Sequence, residues 1–162
     1  MNNRFGKKQT KSFPHPVSVR GATITDAIPF LKLEAECFEM KFTEASLYYW
    51  RPIIDYCYAS KAVSKNKIVG GIIAIPTRAG QIYINSLFVH KNFRKQGIAT
   101  YLLNQILSIS PKNGYILDVK PGKEYLISFY KKRGFSAIRA ERNYYLDGAT
   151  RIIMMRSGKS ED

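Results

Sequence analysis

The chain has 162 residues, 45% of them apolar, with 26 Lys and Arg against 12 Asp and Glu and a formal net charge of +14. That length suits one domain with a sizeable core, and that apolar share excludes disorder for the body of the chain. The charge favours polyanionic partners such as nucleotide-like cofactors, RNA or acidic protein surfaces, and disfavours a polycationic substrate such as a polyamine. No apolar run approaches a membrane span and no signal region follows the basic N-terminus, so the expectation is a cytoplasmic protein with no membrane partner. Cys37 and Cys57 lie in periodic apolar segments without metal-like spacing, which argues against a disulfide framework. His15 and His90 are too few and too far apart in sequence to suggest a metal centre.

Residues 1–16 carry Arg4, Lys7, Lys8, Lys11, two prolines and no acid, the composition of a flexible basic tail. Two readings stay open for it: an idle solvated segment, or a weak contact with RNA or the ribosome. Residues 17–156 then read as a single domain and 157–162 as a C-terminal tail. Alternation predicts a first strand over 17–22. Thr25 and Asp26 start a helix that tolerates Pro29 in its first turn and buries Ile28, Leu31, Ala35 and Phe38. Thr43 and Glu44 cap a second helix ending near Arg51, before Pro52; its Tyr48, Tyr49 and Trp50 read as core residues rather than ligand contacts. Strands are predicted over 56–63, 68–75 (with Gly70 and Gly71 inside) and 82–89. A helix runs from Ile98 to about residue 109, a strand spans 115–119, and a helix over 124–133 ends at Gly134. Two final strands cover 136–143 and 150–156. The order β-α-α-β-β-β-α-β-α-β-β describes an α+β (mixed α/β) fold, a mixed, largely antiparallel sheet of about seven strands flanked by about four helices.

The stretch V-H-K-N-F-R-K-Q-G-I-A-T-Y-L-L, residues 89–103, joins an apolar strand to an amphipathic helix through a loop with Lys91, Arg94, Lys95 and Gly97. The first turn of a helix has N–H groups without intrahelical partners and partial positive charge, so such a loop suits an anion, most often a phosphate. It is neither a P-loop nor a dinucleotide fingerprint, because it lacks their glycines. What it spells is R-x-x-G-x-A, as Arg94, Gly97 and Ala99.

That pattern resembles the pyrophosphate loop of the GCN5-related N-acetyltransferases (GNAT). A second stretch, L-D-V-K-P-G-K-E-Y-L-I-S-F-Y-K-K-R-G-F over 117–135, is similar to that family's strand-to-helix motif at Leu117, Val119, Tyr130, Gly134 and Phe135. A third, Arg142-Asn143-Tyr144-Tyr145 with Gly148 and Ile152-Ile153-Met154, looks like the ending of the RimI-type ribosomal-protein-alanine acetyltransferases. The pattern R-x-A-T-x-x-D, Arg20 to Asp26, fits more loosely. Together the resemblance covers about residues 18–156. It departs at Lys123, where the family has an asparagine against the pantetheine arm, at Leu126, where it has alanine, and at Ala149-Thr150, where the RimI-type pattern has an acidic pair.

The resemblance implies acetyl-CoA as cofactor. Its pyrophosphate would lie on the amides of Arg94, Lys95, Gln96, Gly97, Ile98 and Ala99, with Arg94 and Lys95 adding charge and the Thr100 hydroxyl available. The strand end Leu87, Phe88 and Val89, Lys123 and Tyr130 would also be in contact. A backbone N–H near Phe88 or Val89 would polarise the thioester carbonyl. Tyr130 occupies the family's general-acid position; read without the motif, it is a core tyrosine on an amphipathic helix. Asp118 stands where RimI-type enzymes carry the glutamate that accepts the amine proton. A carboxylate inside Y-I-L-D-V has either of two reasons, a general base facing a wet cleft or a structural pair with a Lys or Arg. Tyr144 and Tyr145 would close over the acceptor. The implied reaction is direct acetyl transfer to a primary amine, a protein N-terminal α-amino group first. A small-molecule amine, or a non-catalytic basic domain binding acyl-CoA and RNA, are the alternatives. The oligomeric state stays open between monomer and homodimer.

Overall fold

The computed structural model describes residues 16–109, 111 and 113–158. The basic tail assigned to 1–16, apart from Pro16, and residues 159–162 of the C-terminal tail lie outside the described residues. By internal contacts the chain divides into two compact units. One comprises the chain up to Ile75 together with Asn85–Ile109, the other Pro76–Ile84 together with the chain after Ile109.

The first unit opens with β1 (Val17–Gly21), a 3-10 turn (Ile24–Asp26) and α1 (Ala27–Cys37). Next come α2 (Ala45–Tyr48), α3 (Trp50–Tyr56), β2 (Tyr58–Ser64) and β3 (Lys67–Pro76). It closes with the second half of β4 (Ile82–Val89) and with α4 (Ile98–Leu107). Its strand order is β1-β2-β3-β4, with β1 antiparallel to β2 and β2 antiparallel to β3. The core gathers around Phe30, whose ring centroid lies 4.8 Å from that of Trp50 and 5.0 Å from that of Phe88. The Trp50 indole N–H donates to the Thr23 carbonyl at 3.1 Å, so the ring is buried with its one polar atom satisfied. Gly71 of β3 makes room for this cluster. A Cβ at Gly71 would stand 2.5 Å from the Phe30 ring and 2.7 Å from that of Phe88.

The second unit contains the first half of β4, then β5 (Tyr115–Val119), α5 (Glu124–Lys131), β6 (Ser136–Arg142) and β7 (Thr150–Arg156). Its order is β4-β5-β7-β6; β4 and β5 run parallel and the other neighbours antiparallel. Leu117, Val119, Ile127, Phe135, Ile153 and Met154 are buried there. Gly134, at φ 82°, ends α5 in the left-handed conformation that glycine adopts without strain. Counting β4 once, the described residues form the seven strands of a mixed, largely antiparallel sheet, as the sequence predicts. None of their helices is long and apolar enough to cross a membrane.

The differences from the predicted elements are local. Ile28 and Phe38 are exposed, and Phe30, Leu31, Leu33 and Ala35 form the buried face of α1 instead. Phe38 has already left the helix, so helical periodicity no longer governs it. Pro52 does not stop a helix; it lies in the first turn of α3, where its missing N–H has no intrahelical bond to lose. Tyr56 accordingly ends α3 rather than starting β2. Of the three aromatics read as core, only Trp50 is buried, while Tyr48 and Tyr49 are exposed.

One polar contact secures the start of the first unit. The Asp26 carboxylate accepts the Thr23 amide and hydroxyl, both at 2.7 Å, and pairs with the Lys61 ammonium, which is buried in β2. Burial alone would push the Asp26 carboxyl up, but the hydrogen bonds from Lys61 and Thr23 outweigh it and hold the group below its ordinary 3.8. A carboxyl depressed in the fold stabilises above its ordinary value, and that contribution is lost as pH falls below it. Asp26→Asn leaves Lys61 buried without its counter-charge and is expected to cost about 3 kcal/mol at neutral pH. Urea unfolding of both proteins checks this, and the variant's stability should fall less steeply below pH 3.8.

Candidate active site

The first unit carries the basic loop after β4. His90 caps a single 3-10 turn (Lys91–Phe93), its Nδ1 accepting the Asn92 amide at 3.3 Å. Arg94 does not simply project outward, because its Nε donates to the Val89 carbonyl at 2.9 Å and pins the loop to the strand end. Gln96 bridges back to the Asn92 carbonyl at 3.3 Å. Lys91 and Lys95 are exposed. Gly97, at φ 85°, is the N-cap of α4, and no side chain caps that helix. A Cβ at Gly97 would meet nothing within 4 Å, so this position needs glycine for its backbone conformation. An uncapped helix start, open space above it and two exposed lysines suit a phosphate-bearing guest.

The second unit carries a cluster centred on Asp118, in the middle of β5. Its Oδ1 accepts the Tyr83 hydroxyl at 2.5 Å and the Tyr145 hydroxyl at 2.6 Å, and those two hydroxyls lie 2.5 Å apart. Two phenol protons therefore serve three edges of one triangle. Asp118 Oδ2 lies 3.5 Å from Nε of Arg151, a buried residue on β7. Of the two reasons open for a carboxylate here, a pairing cation is present, and the carboxylate faces phenols on its other oxygen. Tyr144 sets its ring edge-on to Tyr145, with centroids 4.7 Å apart. Tyr130 is buried on α5 between Phe129 and Phe135.

The phenols hold their protons tightly. Burial, then the Asp118 hydrogen bond, pushes Tyr145 up to about 12. Burial and the same carboxylate push Tyr83 well above the ordinary phenol range. Tyr130 is also raised, first by burial and then by the negative charge of Asp118, with Arg133 opposing.

The structure therefore brings Asp118 and Tyr145 into direct contact, with Tyr144 against them and Tyr130 within the field of the carboxylate. Lys123 stands exposed at the N-cap of α5. Tyr83 and Arg151 join the cluster without having been singled out from the sequence. Tyr83 alternates along β4 like any half-buried strand residue, and Arg151 is the second residue of an otherwise ordinary β7. The one available signal was Asp118 itself, since a carboxylate in an apolar strand calls for donors on its own face. Among the described residues, no group of three or more His, Cys, Asp or Glu could hold a metal ion.

A phosphate-suited loop between β4 and α4 in one unit, and a phenol–carboxylate cluster around Asp118 in the other, are features that transfer of an acyl group from a phosphate-bearing donor can use. The profile of the Acetyltransferase (GNAT) family matches residues 28–135, and the chain belongs to that family. It is an acetyl-CoA-dependent N-acetyltransferase. The chain is similar to N-alpha-acetyltransferase 50 of Danio rerio, 28% identical over 122 residues that cover 69% of this chain and 73% of that protein. Among solved structures it is similar to Arabidopsis thaliana Naa50 in complex with the bisubstrate analogue CoA-Ac-MVNAL, with TM-score 0.74, 24% identity, and 87% and 98% of the two chains covered. It is also similar to the ribosomal-protein-S18-alanine N-acetyltransferase of Escherichia coli, with TM-score 0.77, 16% identity, and 90% and 96% covered. At these identities the two solved structures bear on the fold alone.

Two substitutions probe the local geometry. Gly97→Ala forces a Cβ into the left-handed region and should cost about 1–2 kcal/mol, whereas Gly97→Asn should cost less, as urea midpoints will show. Tyr145 is raised from 10 to about 12, so its contribution to stability is complete below pH 10 and is lost as pH rises through 12. Tyr145→Phe should flatten the alkaline loss of stability over that interval, measured by urea midpoints at each pH.

Proposed function

We propose that this N-acetyltransferase acts on the α-amino group of protein N-termini. The observation that carries the proposal is the contact of Tyr145, on the β6–β7 loop, with Asp118 and Tyr83, which joins an acceptor-side loop to a proton acceptor. The name of the zebrafish relative supports the same acceptor class. The RimI-like ending supports Ala- or Ser-initiated acceptors, whereas the peptide named in the Arabidopsis complex begins with Met. The two free cysteines support a reducing, cytoplasmic setting, and the +14 charge supports a weak, salt-sensitive contact with RNA or the ribosome.

Acetyl-CoA supplies an acetyl group activated as a thioester. The amides of the 94–100 loop, with Lys91 and Lys95, hold its pyrophosphate, and a backbone N–H near Phe88 or Val89 polarises the carbonyl. An α-amino group has a reference pKa of about 8, so a good part of it is already neutral at cellular pH. Tyr145 and Tyr83 keep their protons and accept the approaching amine as a hydrogen-bond donor while donating to Asp118. As the C–N bond forms and the C–S bond breaks, the proton leaving nitrogen passes toward Asp118, through the phenols or a water. Tyr130 donates its phenol hydrogen to the departing sulfur. Lys123 takes the place beside the pantetheine arm, and Tyr144 braces Tyr145.

Thiol release from acetyl-CoA against a panel of Ala-, Ser- and Met-initiated peptides and small primary amines tests the reading. Tyr130→Phe should lower kcat on the best peptide by about 10²- to 10⁴-fold. Undiminished turnover in that variant would remove Tyr130 from the chemistry. Faster turnover of a small amine than of every peptide would overturn the N-terminal acceptor.

A further inference from the structure

Arg151 is a guanidinium taken out of water, 5% exposed at the second position of β7. A buried charge persists only where its surroundings answer it. Its Nε meets Asp118 Oδ2 at 3.5 Å, one terminal nitrogen donates to Asp147 Oδ2 at 2.7 Å, and the other donates to the Thr150 carbonyl at 3.2 Å. Its face lies 5.1 Å from the centre of the Tyr145 ring. One side chain thus links the middle of β5, the base of β7 and the 143–149 loop.

That loop needs an external hold. Asn143, Leu146 and Gly148 have φ of 57°, 60° and 73°. A leucine in the left-handed region is uncommon, and Leu146 is 88% exposed, so its own burial does not keep it there. Within the loop, Asn143 Oδ1 accepts the Gly148 amide at 2.7 Å and the Asn143 amide donates to the Ala149 carbonyl at 3.0 Å. Those bonds close the hairpin onto β6 and β7 but do not tie it to β4 or β5. The contacts that do so run through Tyr145 to Asp118 and Tyr83, and through Asp147 to Arg151. Arg151 also stands at ion-pair distance from Asp118 Oδ2 while both phenols take Oδ1, so its charge bears on the carboxylate's orientation as well as on the loop's position.

We propose that Arg151 is the positioning residue of the acceptor site, orienting Asp118 and latching the 143–149 loop through Asp147 so that Tyr145 stands ready for the incoming peptide. This rests on the N-terminal acetyltransferase reading. Arg151 touches neither the acetyl group nor the thiol; it acts through Asp118 and Tyr145. Loss of the latch raises the peptide KM and leaves the acetyl-CoA KM in place, a split that a general loss of structure does not produce.

The test compares Arg151→Met, Arg151→Lys and Asp147→Asn with the unaltered chain. Met-Val-Asn-Ala-Leu and an Ala-initiated counterpart serve as acceptors, and urea midpoints are recorded for each variant. Arg151→Met should raise the peptide KM about tenfold or more while the acetyl-CoA KM stays within about twofold. Arg151→Lys, which keeps the charge but not the forked geometry, should fall between. Asp147→Asn alters an exposed loop carboxylate and should fold, so it decides the matter if Arg151→Met does not. A selective rise in its peptide KM supports the latch, and an unmoved KM overturns it. Both KM values rising together in folded variants would also overturn it. If the unaltered chain acetylates neither peptide but does acetylate a small amine, the acceptor reading fails and the latch fails with it. Peptide turnover with unmoved KM in every variant defeats the latch alone.

Discussion

The second unit depends on how one carboxylate and one guanidinium are kept from water together. Asp118 and Arg151 sit at 3.5 Å on neighbouring strands, and each would be costly to bury alone. Their register makes the meeting inevitable once the strands pair. Asp118 stands opposite Ile153, and a residue two positions away on β7 points to the same face. Once Arg151 holds Oδ2, the remaining oxygen is free for phenols, and Tyr83 reaches it from the parallel neighbour β4 while Tyr145 reaches it from the loop. The ion pair and the phenol triangle are therefore one arrangement.

The first unit solves the same problem differently. Lys61 lies buried in β2 and is answered by Asp26, which also ties down Thr23 at the start of the helical segment. The loosely matching R-x-A-T-x-x-D stretch is thus explained here by structure, with its Asp serving as a cap and a counter-ion. The neighbouring Trp50 indole bonds to the Thr23 carbonyl, so one short turn anchors a buried charge and the aromatic core together.

Most of this fold was legible in the sequence because its strands alternate cleanly and end at turn residues. The strands over 82–89, 115–119 and 150–156 have the predicted limits. The errors fell where local pattern is a poor guide. Ile28 and Phe38 match a helical period but face outward, and Pro52 resembles a stop although the first turn of a helix accepts it. The site was partly legible. Asp118 and Tyr145 were found through their resemblance to family motifs, and Asp118 also by its oddity in an apolar strand. Tyr83 and Arg151 were missed because each looks like an ordinary strand residue until the pairing of β4, β5 and β7 is known. Register between strands distant in sequence leaves no trace in either strand alone.

The same cluster constrains the chemistry. Tyr83, Tyr130, Tyr144 and Tyr145 all have their proton affinity raised, each by burial first and then by the Asp118 charge or a bond to it. A phenol that holds its proton far above neutral pH is a hydrogen-bond donor throughout the working range, and a poor base. In the proposed reaction the phenols around Asp118 therefore orient, donate and relay, and the carboxylate or a bound water is the final acceptor for the amine proton. An α-amine that is already partly neutral asks little of such a base. In the proposed reaction the site supplies geometry: an amine directed by Tyr145 and Tyr83, a donor at the sulfur from Tyr130, and a carboxylate held in one direction. Orientation of this kind is worth as much as proton transfer in lowering a barrier. It also accounts for a rigid buried arginine behind a carboxylate that a simple solvent-facing base would not need.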